Sequence, residues 1–319
     1  MFQFSRGHCP VAFLSALAVA YACTPVVQRL ALRWGAVDQP HARKVHTKPT
    51  PTLGGLAIFA GFLVGALIGN EGLWGALDLT PVLIGCGLMV AVGVIDDTRN
   101  LPAIAKLGGQ LVAAGTVWSL GIQIDGFTNP FDGKWLQLAW WQSATVTVLW
   151  IVSVTNTINL IDGLDGLAAG VSALSAAALG LIAMNIKSGA PVAALAAATC
   201  GAALGFLRHN FNPAKIFMGD TGSQLLGMLL AIISIRGPLK AATFVSILVA
   251  VLVLGVPVLD TAFAIGRRVL NRQPIHQADR GHLHHRLVDR GLSQRQAVVV
   301  IYALSGMLCL AAILMFLRV

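Results

Sequence analysis

The chain has 319 residues, of which 56% are hydrophobic and only 11% are charged. This composition excludes a water-soluble globular fold for most of the chain, because apolar segments of about 17–25 residues, long enough to cross a bilayer, recur along its whole length. No long polar segment remains that could form a separate soluble domain. The sequence therefore predicts an all-α, polytopic integral membrane protein with a single domain over residues 1–319.

The apolar segments predict about ten transmembrane helices. In chain order they cover residues 9–30, 53–70, 79–95, 104–121, 142–161, 166–186, 190–207, 221–235, 242–265 and 297–317. The first is interpreted as a retained span rather than a signal peptide, because it is long, lacks a small-residue cleavage site and runs into Arg29 and Arg33. The five cysteines stand singly in or beside apolar segments, which favours core packing over a disulfide framework or a metal site.

The distribution of charge predicts the orientation. Short loops rich in Lys and Arg lie on the cytoplasmic side, and the loops after the odd-numbered spans hold 16 of the 22 Lys and Arg residues. Both termini are therefore predicted to lie outside. The inner side also holds seven of the eight histidines and nine of the 13 acidic residues. The charge rule does not explain that grouping, so the sequence predicts a polar site on the cytoplasmic face.

The first two inner loops carry cations and paired carboxylates. In DQPHARKVHTKPTPTLGG, Lys48 belongs to a basic run that membrane anchoring explains as well as a binding role does. In GVIDDTRNLPAIAKLGG, adjacent Asp96 and Asp97 end the third span and Lys106 follows. Neighbouring carboxylates can hold Mg²⁺, or one can act as a base while the other orients it. A solvated helix end at the membrane surface is the alternative.

The third inner loop, NTINLIDGLDGLAAG, carries four polar residues at three-residue spacing: Asn156, Asn159, Asp162 and Asp165. Helical geometry places the first three on one side of the fifth span. Asp165 lies near the start of the sixth span, where a helix N-terminus favours phosphate. A carboxylate at that position requires a metal ion or a hydrogen-bond donor such as a base edge. Helix capping explains one of these residues but not all four.

The last two inner loops add an acid, an aromatic ring and a basic group. In RHNFNPAKIFMGDTGSQLLG, Asp220 opens the eighth span as an N-cap or as a ligand, and Phe217 offers a ring for packing or for stacking a base. The loop before the final span groups His282, His284, His285 and Arg286. Their spacing lacks the ligands of a tetrahedral zinc site, so the group favours binding of phosphate oxygens.

Together these loops supply carboxylates for a divalent ion, cations for phosphates and helix N-termini, which are the components of phosphoryl transfer. The sequence has no GxxxxGK[ST] or GxGxxG motif, so a nucleotide-binding loop of either kind is not predicted. Because the loops end membrane helices, one substrate is predicted to be a lipid.

Four motifs in this order, GVIDDTRNLPAIAKLGGQ, NTINLIDGLDGLAAG, IFMGDTGSQLLG and DRGHLHHRL, resemble those of the polyprenyl-phosphate N-acetylhexosamine-1-phosphate transferases. The preceding segment DQPHARKVHTKPTPTLGG is also similar to the family's first cytoplasmic loop, so the resemblance runs over about residues 35–295. The HxHHR form after DRG is similar to the undecaprenyl-phosphate GlcNAc-1-phosphate transferase branch. The peptidoglycan branch has a different three-histidine pattern. One departure is Asn100, which stands where the family's acidic motif sometimes has a third acid.

The resemblance implies a Mg²⁺-dependent reaction, with Mn²⁺ as an alternative ion. UDP-GlcNAc and undecaprenyl phosphate would give undecaprenyl-pyrophosphoryl-GlcNAc and UMP. The implied catalytic residues are Asp96, Asp97 and His284, and the implied metal ligands are Asp220, Asn159 and Asp97. Contacts to the pyrophosphate are implied for Lys106, His284 and Arg286, and contacts to uracil for Asp165 and Phe217. Lys48, Asp162, His282 and His285 complete the predicted substrate-binding set.

The predicted partners are the two substrates and membrane lipid, without nucleic acid, and a homodimer is left open. The predicted location is the bacterial inner membrane with a cytoplasmic active site, where the product would start an O-antigen, common-antigen or teichoic-acid glycan. One alternative keeps the chemistry with UDP-MurNAc-pentapeptide, UDP-GalNAc or a diamino-sugar nucleotide. Another is a cation-coupled transporter, although its ion sites would lie nearer the bilayer midplane. Asp260, inside the ninth span, is predicted to be a structural partner of Arg267 or Arg268, with a functional role as the alternative.

Overall fold

The computed structural model describes residues 5–40, 49–70, 78–128, 134–186, 189–237, 244–270 and 283–318. It is an all-α membrane fold, about 79% helical. The helices are α1 (Ser5–Trp34), α2 (Gly55–Asn70), α3 (Thr80–Arg99), α4 (Ala103–Ser119), α5 (Trp140–Ile161), α6 (Leu167–Ala183), α7 (Ala190–Asn210), α8 (Gly219–Arg236), α9 (Phe244–Val253), α10 (Gly255–Leu270), α11 (Leu283–Asp289) and α12 (Gln294–Leu317). The strands are β1 (Val37–Asp38), β2 (Thr50–Pro51), β3 (Gly126–Thr128) and β4 (Trp135–Gln137).

Helices lie at the positions of the predicted spans. By length and composition, five helical segments of the described chain are long and apolar enough to cross a bilayer: His8–Trp34, Thr80–Arg99, Trp140–Ile161, Ala190–Asn210 and Gln294–Leu317. Two further apolar helices, α2 and α6, are shorter. The chain is therefore a multi-pass membrane protein. The total of about ten spans and the outward placement of both termini stay predictions.

Within the ninth predicted span the structure has two helices, α9 and α10, with Leu254 between them. Pro257 has no N–H group with which to bond the carbonyl four residues earlier. That carbonyl belongs to Val253, and it accepts a hydrogen bond from Ser175 Oγ at 3.0 Å instead. Cys309 Sγ also approaches it at 3.8 Å. The Val253 carbonyl therefore finds its partners on α6 and α12, because a backbone polar group in an apolar interior requires a hydrogen bond.

Helix α8 forms the centre of the bundle. Every residue from Thr221 to Ile235 is buried, and α8 packs against α2, α3, α5, α6 and α7. A hydrogen bond of 2.9 Å from Trp150 Nε1 to Ser234 Oγ joins α5 to α8 far from the N-terminus of α8. Because its whole circumference is covered by other helices, the position of the first turn of α8 is determined by its neighbours.

Main-chain hydrogen bonds hold the segment that leads into α8. Phe217 donates to the Pro51 carbonyl at 2.9 Å, and the Phe217 carbonyl accepts from Gly54 at 3.0 Å. Gly55 then donates to the Met218 carbonyl at 2.9 Å. Pro51 belongs to β2, which pairs antiparallel with β1. The end of the first predicted inner loop therefore fixes the approach to Asp220.

Candidate active site

Residues of all five predicted inner loops meet at one cavity of about 770 Å³. This volume lies in the usual range of ligand pockets. Eight of the predicted site residues line it: Asp96, Asp97, Asn159, Asp162, Asp165, Phe217, Asp220 and His285. The described lining also includes Asp38, Thr52, Asn210 and Gln294. Carboxylates dominate this wall, so an anionic ligand would require added positive charge.

Asp97 is bound to the N-terminus of α8. Its Oδ1 accepts a hydrogen bond from Asp220 N at 2.8 Å, and its Oδ2 accepts from Thr221 N at 3.1 Å and from Thr221 Oγ1 at 2.6 Å. The first N–H groups of a helix lack partners within the helix and carry the positive end of its dipole. Asp97 on α3 therefore acts as the cap of α8, supplied from a neighbouring helix.

Gly219 permits this contact. Its φ is +68°, and a Cβ added to it would overlap the Asp97 carboxylate and the Thr52 hydroxyl. The left-handed region is costly for residues with a side chain. The first residue of α8 must therefore be glycine for two independent reasons.

We expect Gly219→Ala to lower the melting temperature in detergent and to reduce turnover, because it combines a strained φ with a clash against the Asp97 cap. Gly121→Ala is the matched control, because Gly121 has a φ of +92° with no atom near its would-be Cβ. The control isolates the backbone cost, about 1–2 kcal/mol. Equal losses of melting temperature and turnover in the two variants would show that the clash is unimportant.

Lys106 links two carboxylates across the cavity wall. Its ammonium lies 3.0 Å from Asp96 Oδ2 and forms an ion pair with Asp220 Oδ2. It also lies 3.5 Å from Asn159 Oδ1. The other oxygen of Asp96 accepts from Leu101 N at 2.7 Å. One oxygen atom each from Asp96, Asp220 and Asn159 thus surrounds the positive charge of Lys106.

Asn159 holds the other side of Asp220. Its Nδ2 donates to Asp220 Oδ1 at 2.9 Å and to Ser223 Oγ at 2.8 Å. Both donor hydrogens face α8, so its Oδ1 faces Lys106. Two carboxylates and one amide oxygen are ligands of the type that Mg²⁺ prefers. Among the described residues, no group of three or more His, Cys, Asp or Glu is placed to hold a metal ion.

Asp165 is bound by the segment between α7 and α8. Its Oδ2 accepts from Asn212 Nδ2 at 2.9 Å and from Ala214 N at 3.0 Å. Asn212 Nδ2 also donates to Gln294 Oε1 at 2.6 Å. Asp165 therefore orders the chain that precedes Phe217 and connects it to the start of α12.

Asp162 differs from these carboxylates, because no hydrogen-bond donor for it exists among the described residues. It follows the last residue of α5 and is half-buried at the cavity wall. Burial, and then the charges of Asp97 and Asp165, raises the pKa of Asp162 from 3.8 to about 7. Folding therefore stabilises the protonated form of this side chain relative to the unfolded chain.

We expect Asp162→Asn to stabilise the protein at alkaline pH. A raised pKa in the folded state means that stability falls as pH rises from about 4 to about 7, since the unfolded chain releases its proton first. The melting temperature of the variant should therefore exceed that of the wild type increasingly between about pH 4 and about pH 7, and by a constant amount above that range. Asp78→Asn is the control, because a hydrogen bond with Thr80 lowers the pKa of Asp78. A parallel pH dependence in wild type and Asp162→Asn would contradict this account.

His284 and His285 lie at the start of α11, and His285 lines the cavity. His284 is 2% exposed, its ring lies against the backbone of Gly163, and the His284 and His285 ring centroids are 4.2 Å apart. Asp260 Oδ1 accepts a hydrogen bond from Leu283 N at 2.8 Å. Asp260 thus holds the first residue of α11, while its predicted pairing with Arg267 or Arg268 stays a prediction.

The other five predicted residues are not part of the described lining. Lys106 and His284 contact residues of that lining, Lys106 through Asp96 and Asp220 and His284 through Gly163. Arg286 is exposed on α11. Lys48 and His282 lie outside the described residues.

Several polar residues of the site were missed by the sequence interpretation. Gln110 and Gln224 follow Lys106 and Asp220 by four residues, so each shares a helix face with a predicted residue. That spacing is a signal that could have identified them. Asn212 and Gln294 have no such local signal, because their contact joins segments that are 82 residues apart.

Comparisons with known proteins decide the family. The family model of glycosyl transferase family 4 matches residues 79–238, which include Asp96, Asn159 and Asp220. The chain is also 44% identical over 307 residues to a probable undecaprenyl-phosphate N-acetylglucosaminyl 1-phosphate transferase of Bacillus subtilis, covering 96% of this chain and 84% of the relative.

This chain belongs to glycosyl transferase family 4.

Other relatives of this family 4 transferase are more distant. A decaprenyl-phosphate N-acetylglucosaminephosphotransferase of Mycolicibacterium smegmatis is 36% identical over 325 residues, covering 94% of this chain and 80% of the relative. A phospho-N-acetylmuramoyl-pentapeptide-transferase of Desulforamulus reducens is 33% identical over 335 residues, covering 95% and 93%. The resemblance that the motifs indicated is confirmed.

Proposed function

We propose that this family 4 transferase moves GlcNAc-1-phosphate from UDP-GlcNAc to undecaprenyl phosphate, giving undecaprenyl-pyrophosphoryl-GlcNAc and UMP. The product would be the first membrane intermediate of a cell-surface glycan. The Bacillus subtilis relative is a probable undecaprenyl-phosphate N-acetylglucosaminyl 1-phosphate transferase, and this supports both the acceptor and the sugar. The observation that supports the chemistry is the convergence of five loops on one cavity at the ends of apolar helices.

The charge of the cavity supports a divalent cation as a cofactor. Six aspartates belong to the described lining: Asp38, Asp96, Asp97, Asp162, Asp165 and Asp220. A pyrophosphate would be repelled there unless cations neutralised it. Asp220, Asn159 and Asp96 offer oxygen ligands around one point, and Mg²⁺ normally takes few protein ligands beside water and phosphate oxygens. Bound there, Mg²⁺ or Mn²⁺ would neutralise charge on the phosphates during transfer.

The reaction proceeds by attack of a lipid phosphate oxygen on the β-phosphorus of the nucleotide sugar. The bond between that phosphorus and the bridging oxygen breaks, and the bridging oxygen leaves with UMP. The lipid phosphate is largely ionised near neutral pH, since its second pKa is about 6. Asp96 therefore orients Lys106 rather than removing a proton. Positioning supplies most of the catalysis in such transfers.

The described side chains divide between the two substrates. Phe217 offers its ring to uracil and Asp165 its free carboxylate oxygen. Lys106 and the buried His284 are assigned to the phosphates, together with His285, which lines the cavity, and with Arg286 on the same helix α11. Asp97 holds the N-terminus of α8 at the cavity by accepting its first N–H groups, and the positive end of the α8 dipole favours phosphate.

The active site is proposed to face the cytoplasm from the bacterial inner membrane, with about ten helices spanning the bilayer. The cavity collects the helix ends that carry most of the Lys and Arg residues, which agrees with the positive-inside rule. UDP-sugars are made in the cytoplasm, so the donor would reach the cavity directly from solution. The exposed apolar residues on α1, α5 and α12 suit contact with lipid.

Purified protein with Mg²⁺ and undecaprenyl phosphate should release UMP from one preferred donor in a panel of UDP-sugars. We expect UDP-GlcNAc to be preferred over UDP-GalNAc and UDP-MurNAc-pentapeptide. EDTA should stop the release, and added Mg²⁺ should restore it. Transport of ions or solutes across proteoliposomes without UMP release from any donor would overturn the proposal and favour a transporter.

A second candidate keeps the chemistry and changes the sugar. Phospho-N-acetylmuramoyl-pentapeptide-transferases also align over nearly the whole chain, at 33–35% identity. The higher identity to the GlcNAc-1-phosphate transferase of Bacillus subtilis, 44%, favours GlcNAc. A preference for UDP-MurNAc-pentapeptide in the same donor panel would assign the chain to the second candidate.

A further inference from the structure

Three amide side chains form a continuous hydrogen-bonded row beneath the cavity, which we call the amide row: Asn156 on α5, Gln110 on α4 and Gln224 on α8. Asn156 Nδ2 donates to Gln110 Oε1 at 2.6 Å, and Gln110 Nε2 donates to Gln224 Oε1 at 3.2 Å. Gln224 Nε2 then donates to Asp220 Oδ2 at 3.3 Å. The row therefore ends on a carboxylate of the active site.

The direction of the amide row is determined at both ends. Asn156 Nδ2 also donates to the Val152 carbonyl at 2.9 Å, and a carbonyl can only accept. An ionised Asp220 can likewise only accept. Turning any one amide around would place two acceptors or two donors face to face. Each amide of the row therefore has a single allowed orientation, and in it the Nε2 of Gln224 donates to Asp220.

Burial makes this arrangement costly to disturb. Gln110 is 1% exposed and Gln224 is fully buried. A buried polar group without its partner costs about 1–3 kcal/mol. The amides are neutral, so they hold Asp220 without changing its charge. Asn159 binds the other oxygen of Asp220, and the carboxylate is thus held on both sides by α5 and α8.

We infer that Gln110 and Gln224 are positioning residues for the transfer reaction, acting through Asp220. The alternative is that the amide row only joins helices, as interhelical hydrogen bonds do in many membrane proteins. This inference rests on the proposed function for its kinetic test. It also predicts an effect that can be measured without turnover, namely a weaker response of the folded protein to Mg²⁺.

The test replaces each glutamine by methionine, which has a similar length and no hydrogen-bond donor. Gln224→Met and Gln110→Met should lower kcat by about 10–100-fold, with KM for both substrates changed by no more than about threefold. The rise in melting temperature that Mg²⁺ produces without substrates should fall to less than half its wild-type value. Gln110→Asn, which keeps the amide but shortens it, should lie between the wild type and Gln110→Met.

Two serine variants are matched controls for helix joining. Ser234→Ala removes the hydrogen bond from Trp150 between α5 and α8, and Ser143→Ala removes the 3.3 Å bond from Trp118 between α4 and α5. Both should lower the melting temperature without lowering kcat more than about twofold or weakening the Mg²⁺ response. The inference is overturned if the glutamine variants behave like these serine variants.

The design separates this inference from the proposed function. If wild-type protein releases no UMP from any donor, the proposed function fails, while the Mg²⁺ response of the folded protein still decides the role of the amide row. If Gln224→Met does not fold, Gln110→Met carries the test, because it leaves the direct partner of Asp220 in place. A normal Mg²⁺ response and a normal kcat in Gln110→Met would overturn the inference.

Discussion

We expect Asp220→Asn to lower kcat by about a hundred- to a thousandfold while the protein remains folded. Asp220 lies where three elements meet, because Lys106 on α4, Asn159 on α5 and Gln224 on α8 all contact its carboxylate. The amide of asparagine occupies the same volume but removes the negative charge. It would also present a donor to Asn159 or to Gln224. The measurement is UMP release at saturating concentrations of both substrates.

Asp78→Asn makes the same chemical change at the opposite end of α3 from Asp97, outside the cavity. It should retain kcat within about twofold. Melting temperatures should show that Asp220→Asn is folded at the assay temperature. Near-normal kcat in the folded Asp220→Asn protein would show that Asp220 takes no part in the reaction and serves only the structure of the first turn of α8.

The second large effect is expected for Lys106→Met, which should lower kcat by about a hundredfold. Without the ammonium, Asp96 and Asp220 face each other uncompensated, and like charges at close range repel. The proposed contact of Lys106 with a phosphate would also be lost. The same loss of charge should make added Mg²⁺ raise the melting temperature more in this variant than in the wild type.

Lys134→Met is the control, because Lys134 precedes β4 on the predicted outer side. It should leave both kcat and the Mg²⁺ response unchanged. A Lys106→Met protein that turns over normally, or whose Mg²⁺ response is unaltered, would show that the cation between the carboxylates is dispensable.

Much of the site could be predicted because membrane topology limits the possibilities. Once the spans are assigned, polar residues at the inner span ends must share one face, and charge identifies that face. The grouping of Asp96, Asn159 and Asp220 around one cavity follows from this reasoning. Their separate contacts do not, because sequence spacing describes one helix at a time.

The role of Asp97 could not be predicted from the sequence. From its position beside Asp96, the two carboxylates were interpreted together as a pair. In the structure they differ, because Asp97 caps α8 and Asp96 pairs with Lys106. The cap depends on the close approach of two helices that are more than a hundred residues apart in the sequence, and no local pattern encodes that distance.

The division of the ninth span had a visible cause that the hydropathy pattern hid. Apolar residues continue on both sides of Pro257, so a hydropathy window favours one uninterrupted span. The Val253 carbonyl, which the missing N–H of Pro257 leaves without its helical partner, accepts a hydrogen bond from Ser175 on another helix and is approached by Cys309. Proline in a membrane helix therefore indicates a possible break, and tertiary contacts decide whether the break occurs.

The most direct test of the central account is the fate of the β-phosphate. UDP-GlcNAc labelled with ³²P only at that phosphorus is incubated with the purified protein and undecaprenyl phosphate. Transfer of the sugar together with its phosphate predicts that the label moves quantitatively to the lipid fraction, while the released nucleotide is unlabelled UMP. Recovery of the label in UDP, with an unlabelled sugar on the lipid, would contradict the account, because it would mean that the sugar is transferred without its phosphate.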